Sequence, residues 1–190
     1  ISSFNMSTCF SQDNISSGLA HWLPDRGVAL PRDTVGETLR RHAQNIGDRP
    51  ALFHLADPAS DALTTITYRE LLTLAENCAR ALAARFPPGE RVALWSQNTV
   101  ESVILQYACA LAGTILTPFN TAWTDHEVEH ALVLTRPAVI FAGLDHAGRD
   151  LAGRLSSAQG CTVLPLSEIA RMARETSSQP LPQVAQDDPF

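Results

Sequence analysis

The sequence predicts an α/β fold: a mainly parallel sheet with helices on both faces and a pair of N-terminal strands beside it. Short apolar runs recur about every 23 residues, at Val92–Trp95, Ile115–Thr117, Ala138–Phe141 and Thr162–Leu164. Segments with apolar residues at helical spacing separate them, which is the alternation of successive β-α units. Capping residues and breakers fall at the joints between the two kinds of segment, so local and global signals agree. Open sheets of this class bind ligands beyond the carboxyl ends of their strands. Residues that leave each strand are therefore the first candidates for function.

Residues 1–33 read as an irregular leader, punctuated by a Ser17-Gly18 turn and by Pro24 and Pro31. A first helix starts at the cap Thr34 with Glu37 three residues on. It buries Val35, Leu39, Ala43 and Ile46, and stops at Gly47. Ala51–Leu55 and Leu63–Ile66 then read as two strands joined by a polar loop through Asp57-Pro58. Thr67 with Glu70 forms a second capping box. The stripe behind it, Tyr68, Leu71, Leu72, Ala75, Ala79, Leu82 and Phe86, repeats at about 3.6 residues. Pro87-Pro88-Gly89 turns the chain into the Val92 strand.

Asn98 with Glu101 is expected to cap the next helix, which Gly113 closes, and Thr124 with Glu127 the one after it. Pro137 leads into the Ala138 strand. Helices near 146–158 and 167–174 complete a domain over residues 34–175, and a Ser/Gln/Pro-rich linker occupies 176–190.

Composition narrows the function. With 45% apolar and 18% charged residues the chain suits a globular protein, and 190 residues suffice for one domain. All fourteen basic residues are arginine, so no lysine of this chain can act as Schiff base, phosphate clamp or catalyst. A net charge of −6 offers no footprint for nucleic acid or an anionic membrane. The first residues hold no apolar run long enough for a signal peptide or membrane span.

Cys9, Cys78, Cys109 and Cys161 are widely spaced and read as structural thiols of a reducing, cytoplasmic compartment. The triplets at Asn5 and Asn14 match glycosylation signals that such a compartment leaves unused. The opening Ile1 carries the expectation of a start outside this sequence or near Met6.

Asn98 and Asn120 each follow a strand at its carboxyl end, where a ligand would sit; a helix cap and a turn are their structural alternatives. His126-Glu127-Val128-Glu129-His130 matches the H-E-x-x-H zinc motif, with His146 or Glu168 as a conceivable third ligand. Against a zinc peptidase stand the second charge at Glu129 and the capping role open to Glu127. Arg40-Arg41 reads as a solvated helix face. Ser96 and Ser102 lack a nucleophile-elbow setting, and His21, His42 and His54 have no distinguishing context.

Several segments together resemble the AMP-forming adenylating enzymes, the family of acyl-CoA ligases and peptide-synthetase adenylation domains. Ile66-Thr67-Tyr68-Arg69-Glu70-Leu71 is similar to their T-Y-x-E-L segment. Glu90-Arg91-Val92-Ala93-Leu94, followed by Asn98, resembles their G-D-R-V-A strand. Ala112-Gly113 through Pro118-Phe119-Asn120 resembles their A-G-x-x-x-x-P-x-N element, whose asparagine favours acyl-CoA ligases. Thr124, Glu127 and Ala138–Phe141 match the helix and strand that come next, so the likeness covers roughly 34–190.

The resemblance implies the N-terminal part of the family's large domain. It also implies two half-reactions: a carboxylic acid, fatty or aromatic, attacks ATP to give an acyl-adenylate, and coenzyme A displaces AMP. ATP, Mg2+ and CoA are the cofactors it implies for the whole enzyme. Trp95 and Trp123, beside the two asparagines, could line an acyl or CoA passage or serve as packing residues.

The family's phosphate loop follows an entry like Asp187-Asp188-Pro189, and its adenine, magnesium and hinge motifs and its catalytic lysine come later still. The 190 residues alone are therefore expected to form no acyl-adenylate and to hold none of these cofactors tightly. A truncated binding or assembly module is the alternative class.

Overall fold

A computed structural model of the chain describes residues 32–55, 63–155 and 160–189. Residues 1–31 of the leader, with Cys9, His21 and both glycosylation triplets, lie outside the described residues, as does the loop through Asp57-Pro58.

Four strands, β3 (Arg91–Trp95), β4 (Ile115–Phe119), β5 (Val139–Ala142) and β6 (Thr162–Pro165), form one parallel sheet in the order β4-β3-β5-β6. β1 (Pro50–Leu55) and β2 (Leu63–Thr67) make a separate antiparallel pair. Five helices accompany them: α1 (Val35–Asn45), α2 (Tyr68–Ala83), α3 (Val100–Ala112), α4 (Asp125–Thr135) and α5 (Leu166–Arg174).

Strand alternation divides the core in two. Val92, Leu94, Val139 and Phe141 point to one face, against Leu39 of α1, Leu71 and Leu82 of α2, Leu105 of α3 and Met172 of α5. Ala93, Trp95, Ile140 and Ala142 point to the other, against Val128 and Ala131 of α4 and the buried Leu151 and Leu155. Side chains of successive strand residues leave on opposite sides, so a strand covered on both faces must be apolar at nearly every position. β5 is buried at all four of its residues.

The helices begin where capping chemistry places them. Thr34, Thr67 and Thr124 each accept from the backbone N–H three residues on, and Glu37, Glu70 and Glu127 return the bond. The third helix departs from expectation by one residue: its cap is Thr99, not Asn98, and Ser102 rather than Glu101 completes the box. Gly113 ends α3 in the left-handed region at φ 68°, where a Cβ would be strained.

The helix expected near 146–158 is absent over the described part of that stretch. The chain instead makes a turn at 145–148, a bridge between Leu144 and Asp150, and one 3-10 turn at Ala152–Leu155. The Asp145 carboxylate takes the N–H groups of Ala147 and Arg149, at 2.8 and 2.9 Å, that a helix would have used differently. Gly148 lies at φ 76°, which closes the turn.

Residues 175–189 form neither helix nor strand but are tied to the body. Arg80 donates to Gln179 O at 3.1 Å, just beyond α5, whose Ala173 O accepts from Asn77 at 3.0 Å. Leu181 packs on the first core. The adjacent arginines of α1 are engaged rather than merely solvated: Arg40 pairs with Glu76 at 3.1 Å and Arg41 with Asp33.

Candidate functional site

The strand order contains a reversal. From β3 the chain moves outward through α3 to β4, whereas from β5 it moves the other way to β6. The connections that leave β3 and β5 thus run toward opposite faces, the topology at which open α/β sheets receive ligands.

At the carboxyl ends of β3 and β4 lies a hollow of about 490 Å³ bordered by Ser96, Gln97, Asn98, Ser102, Phe119 and Asn120. Two of the residues singled out from sequence, Asn98 and Asn120, thus share one cavity. Asn98 is exposed on its rim, released from the cap position by Thr99. Asn120 makes a tight turn: its Oδ1 accepts from Ala122 N at 2.9 Å and its carbonyl from Trp123 N at 3.1 Å.

Trp95 and Trp123 stand behind the hollow rather than in it. Trp95 is fully buried, and its indole N–H donates to Asn120 O at 3.0 Å, so it ties the end of β3 to the end of β4. The Trp123 ring leans on Phe119 at 5.5 Å between centroids. Arg154 lies 4.8 Å from the centre of the Trp95 ring and donates to Asp125 Oδ1 and to Trp123 O, at 2.8 and 2.9 Å. A guanidinium over an indole face gains from the ring quadrupole while its hydrogen bonds fix its plane. The corner carrying Asn120 is held from below.

Two hydroxyls, of Ser96 and Ser102, line the other wall. Ser96 Oγ lies 3.1 Å from Ser102 Oγ, which donates to Gln97 O at 3.0 Å and completes the Thr99 cap. Among the described residues no histidine or carboxylate borders the hollow, so neither serine has a base within it. The lining as a whole is uncharged. It can orient polar groups by hydrogen bonding but carries nothing that exchanges a proton near neutral pH.

The H-E-x-x-H match resolves as a helix start. Glu127 Oε2 accepts from Thr124 N at 2.7 Å and from Thr124 Oγ1 at 2.8 Å, and the backbone bond lowers its carboxyl pKa. His126 and His130 are exposed on α4. Of the conceivable third ligands, His146 is exposed on the turn after β5, and Glu168 is engaged by Arg171 and Arg85. Among the described residues no three His, Cys, Asp or Glu side chains converge as a metal site.

Sequence reasoning missed the loop after β5. Gln97 donates its side-chain amide to Asp145 O, so the β3 and β5 ends are joined. Asp145 is fully buried, and hydrogen bonds, first from the Arg149 backbone, hold its carboxyl down at about 2. The Asp145-to-Gly148 spacing was a turn signal, masked by apolar residues that mimic a helical stripe.

Comparison with known proteins places this geometry. Residues 39–189 match the sequence profile described as AMP-binding enzyme. The chain is 34% identical over 104 residues to the mitochondrial medium-chain acyl-CoA ligase ACSF2 of Danio rerio, covering 54% of this chain and 16% of that one. It is 27% identical over 158 residues to a Rhodococcus jostii CoA ligase named for a methyl-dioxo-octahydroindenyl propanoyl group, covering 83% and 29%. The chain thus spans less than a third of these relatives' lengths.

A solved structure from Rhodopseudomonas palustris, described as a long-chain-fatty-acid CoA ligase, superposes with a TM-score of 0.63 at 28% identity, covering 84% of this chain and 41% of that one. The N-terminal subdomain of NpsA from Klebsiella oxytoca shares the fold, with a TM-score of 0.64 at 20% identity over 82% and 36%. The profile runs from Leu39 on the core face of α1 to Pro189 beyond the last helix, and the chain belongs to the family of AMP-binding enzymes.

Proposed function

We propose that this chain forms the N-terminal part of the large domain of an ATP-dependent ligase, which joins a carboxylic acid to coenzyme A through an acyl-adenylate. The observation that carries this reading is the family match through residues 39–189, laid on a parallel sheet whose carboxyl edge holds a neutral, polar hollow. Relatives named for medium-chain and long-chain fatty acids and for a cyclic propanoyl group favour a fatty or ring-bearing acid as substrate. In this reading residues 34–175 are the subdomain, and 176–190 lead toward the family's phosphate loop.

Asn98 and Asn120 face the substrate, with Trp95 and Trp123 supporting them from behind. Their amides and the Ser96 and Ser102 hydroxyls can orient a carbonyl or an amide-bearing thiol arm without themselves ionising. ATP and magnesium do not fit the residues present. The sequence has no lysine, the hollow has no charged side chain, and the described residues hold no cluster of metal-ligating groups. Phosphoryl chemistry is accordingly not assigned to this segment.

The test is carboxylate-dependent exchange of pyrophosphate into ATP, with fatty and aromatic acids. It is run on the 190-residue chain and on the protein translated through any in-frame sequence after Phe190. Exchange by the longer protein alone is the expected result. Exchange by the 190 residues would overturn the division of labour, and a longer protein inert toward every acid would overturn the ligase reading. A stop codon directly after Phe190, with no exchange, would assign the chain to the binding or assembly class.

A further inference from the structure

We infer that Asp145 is a positioning residue for the hollow: it folds the loop after β5 into a closed turn whose backbone holds Gln97, and so sets where Asn98 stands. The inference rests on the reading that the hollow faces substrate, but the coupling it describes is a property of the chain alone.

The geometry is that of a latch with two halves. In one half the Asp145 carboxylate is fully buried and accepts from Ala147 N at 2.8 Å, Arg149 N at 2.9 Å and Arg149 Nε at 2.6 Å. Asp145 N donates to Arg149 O at 2.9 Å, which closes the turn on itself. A buried carboxylate is tolerated only when its lone pairs are filled, and here three donors fill them. In the other half Asp145 O receives the Gln97 side-chain amide. Gln97 belongs to the wall of the hollow, forty-eight residues away in sequence, and Asn98 follows it directly.

Two backbone bonds frame the latch: Gly143 N donates to Trp95 O and Leu151 N to Gly143 O, each at 3.0 Å. The loops leaving β3 and β5 are therefore joined beyond the last pair of the sheet ladder, Trp95 with Ala142. Without the turn, Asp145 O has no fixed position, and Gln97 loses its side-chain anchor, keeping only the bonds from the Ser96 and Ser102 hydroxyls to its carbonyl, while the sheet beneath remains paired. The hollow then keeps its floor, Phe119, and loses the definition of its rim.

Backbone nitrogen NMR relaxation on the 190-residue chain tests this with three variants. Asp145→Ala should lower the order parameters of residues 96–98 and 145–151 from about 0.85 to below about 0.6, while those of β3 and β5 stay at the wild-type values. Asp145→Asn keeps the oxygen that serves Ala147 and Arg149, and should return residues 96–98 to the wild-type range. Gln97→Met should lower residues 96–98 and leave 145–151 unchanged, because the turn closes without it.

Order lost in Asp145→Ala only within 145–151 would overturn the inference. So would order lost equally over the core strands, which would make Asp145 a general stabiliser. No substrate is present in these measurements, so either failure leaves the ligase reading to its own exchange assay.

Discussion

Replacing Gly143 with alanine would test how closely the ends of β3 and β5 are packed. A Cβ at Gly143 would stand 2.6 Å from Leu166 Cδ1, 2.9 Å from Ser96 Cβ and 3.1 Å from Leu166 Cγ. Non-bonded carbons settle at about 3.5–4.0 Å, so the methyl would overlap two neighbours at once. Leu166 is half-buried and can rotate away. Ser96 cannot, because its Cβ is fixed to the backbone just past β3, and Gly143 N is bonded to Trp95 O there.

The strand ends must part. Overpacking of this kind costs about 1–3 kcal/mol, and alanine returns about 0.4–1 kcal/mol through a less free unfolded chain. The net expectation is a loss of about 1–2 kcal/mol. With a urea dependence of about 2 kcal/mol/M, the unfolding midpoint followed by tryptophan fluorescence should fall by roughly 0.5–1 M at unchanged slope. Gly153→Ala is the control, since its Cβ would meet only Asp150 Oδ2 at 3.4 Å; its midpoint should hold or rise slightly. A Gly143→Ala protein that unfolds at or above the wild-type midpoint would refute the reasoning.

Other expectations follow from single buried groups. The Thr114 hydroxyl is fully buried and, among the described residues, meets no partner beyond a weak contact with the Cys109 thiol. Thr114→Val should therefore stabilise by about 1 kcal/mol, seen as a Tm raised by about 2–4 °C, and a lowered Tm would mean the hydroxyl is satisfied. The Asp145 carboxyl lies near 2 in the fold against about 3.9 in an unfolded chain, so its stabilisation is complete above pH ~4 and lost as pH falls toward 2. Asp145→Asn should flatten that part of the pH dependence of the urea midpoint, and an unchanged acid limb would contradict the assignment. Burial pushes the Cys109 thiol up to about 12 and the Cys78 thiol further still. Both should resist a thiol-disulfide reagent at pH 8 until urea is added, whereas the half-buried Cys161 should react in the folded protein.

Where sequence signals reinforced one another, they located elements to within a residue or two. At α2 the Thr67–Glu70 box and a long apolar stripe coincide, and the helix starts at Tyr68 as read but ends at Ala83, a turn before the Pro-Pro-Gly stop. The parallel strands were legible because burial on both faces demands unbroken apolar runs. β4 nonetheless continues through Pro118 to Phe119, two residues beyond expectation, since a proline is tolerated on an edge strand. Asn98 and Thr99 compete for one cap, and both have side-chain oxygens that suit it; only the partner at Ser102 decides between them. The loop after β5 was misread for a different reason. Leu151 and Leu155 sit at helical spacing but bury from a 3-10 turn, while a local carboxylate takes the N–H groups that would have built the helix. Strand order, which brings Asn98 and Asn120 together, is a long-range property that no local pattern expresses.

The hollow's chemistry also explains why its most important residues were hard to see. Catalytic groups announce themselves by type and spacing, but this edge of the sheet offers amides, hydroxyls and backbone, all common elsewhere in any protein. What distinguishes them is how they are held. Arg154 braces Trp95, Trp95 holds the Asn120 carbonyl, and Gln97 is held by the turn around Asp145. These ties reach the hollow from different elements of the fold and involve side chains more than ninety per cent buried at Trp95 and Asp145. A site whose contribution is orientation rather than proton transfer depends on such placement, since a displacement of about 1 Å in bound geometry can cost about a hundredfold in rate. In a ligase built on this segment, the bracing residues would then matter to turnover as much as the asparagines proposed to face the substrate.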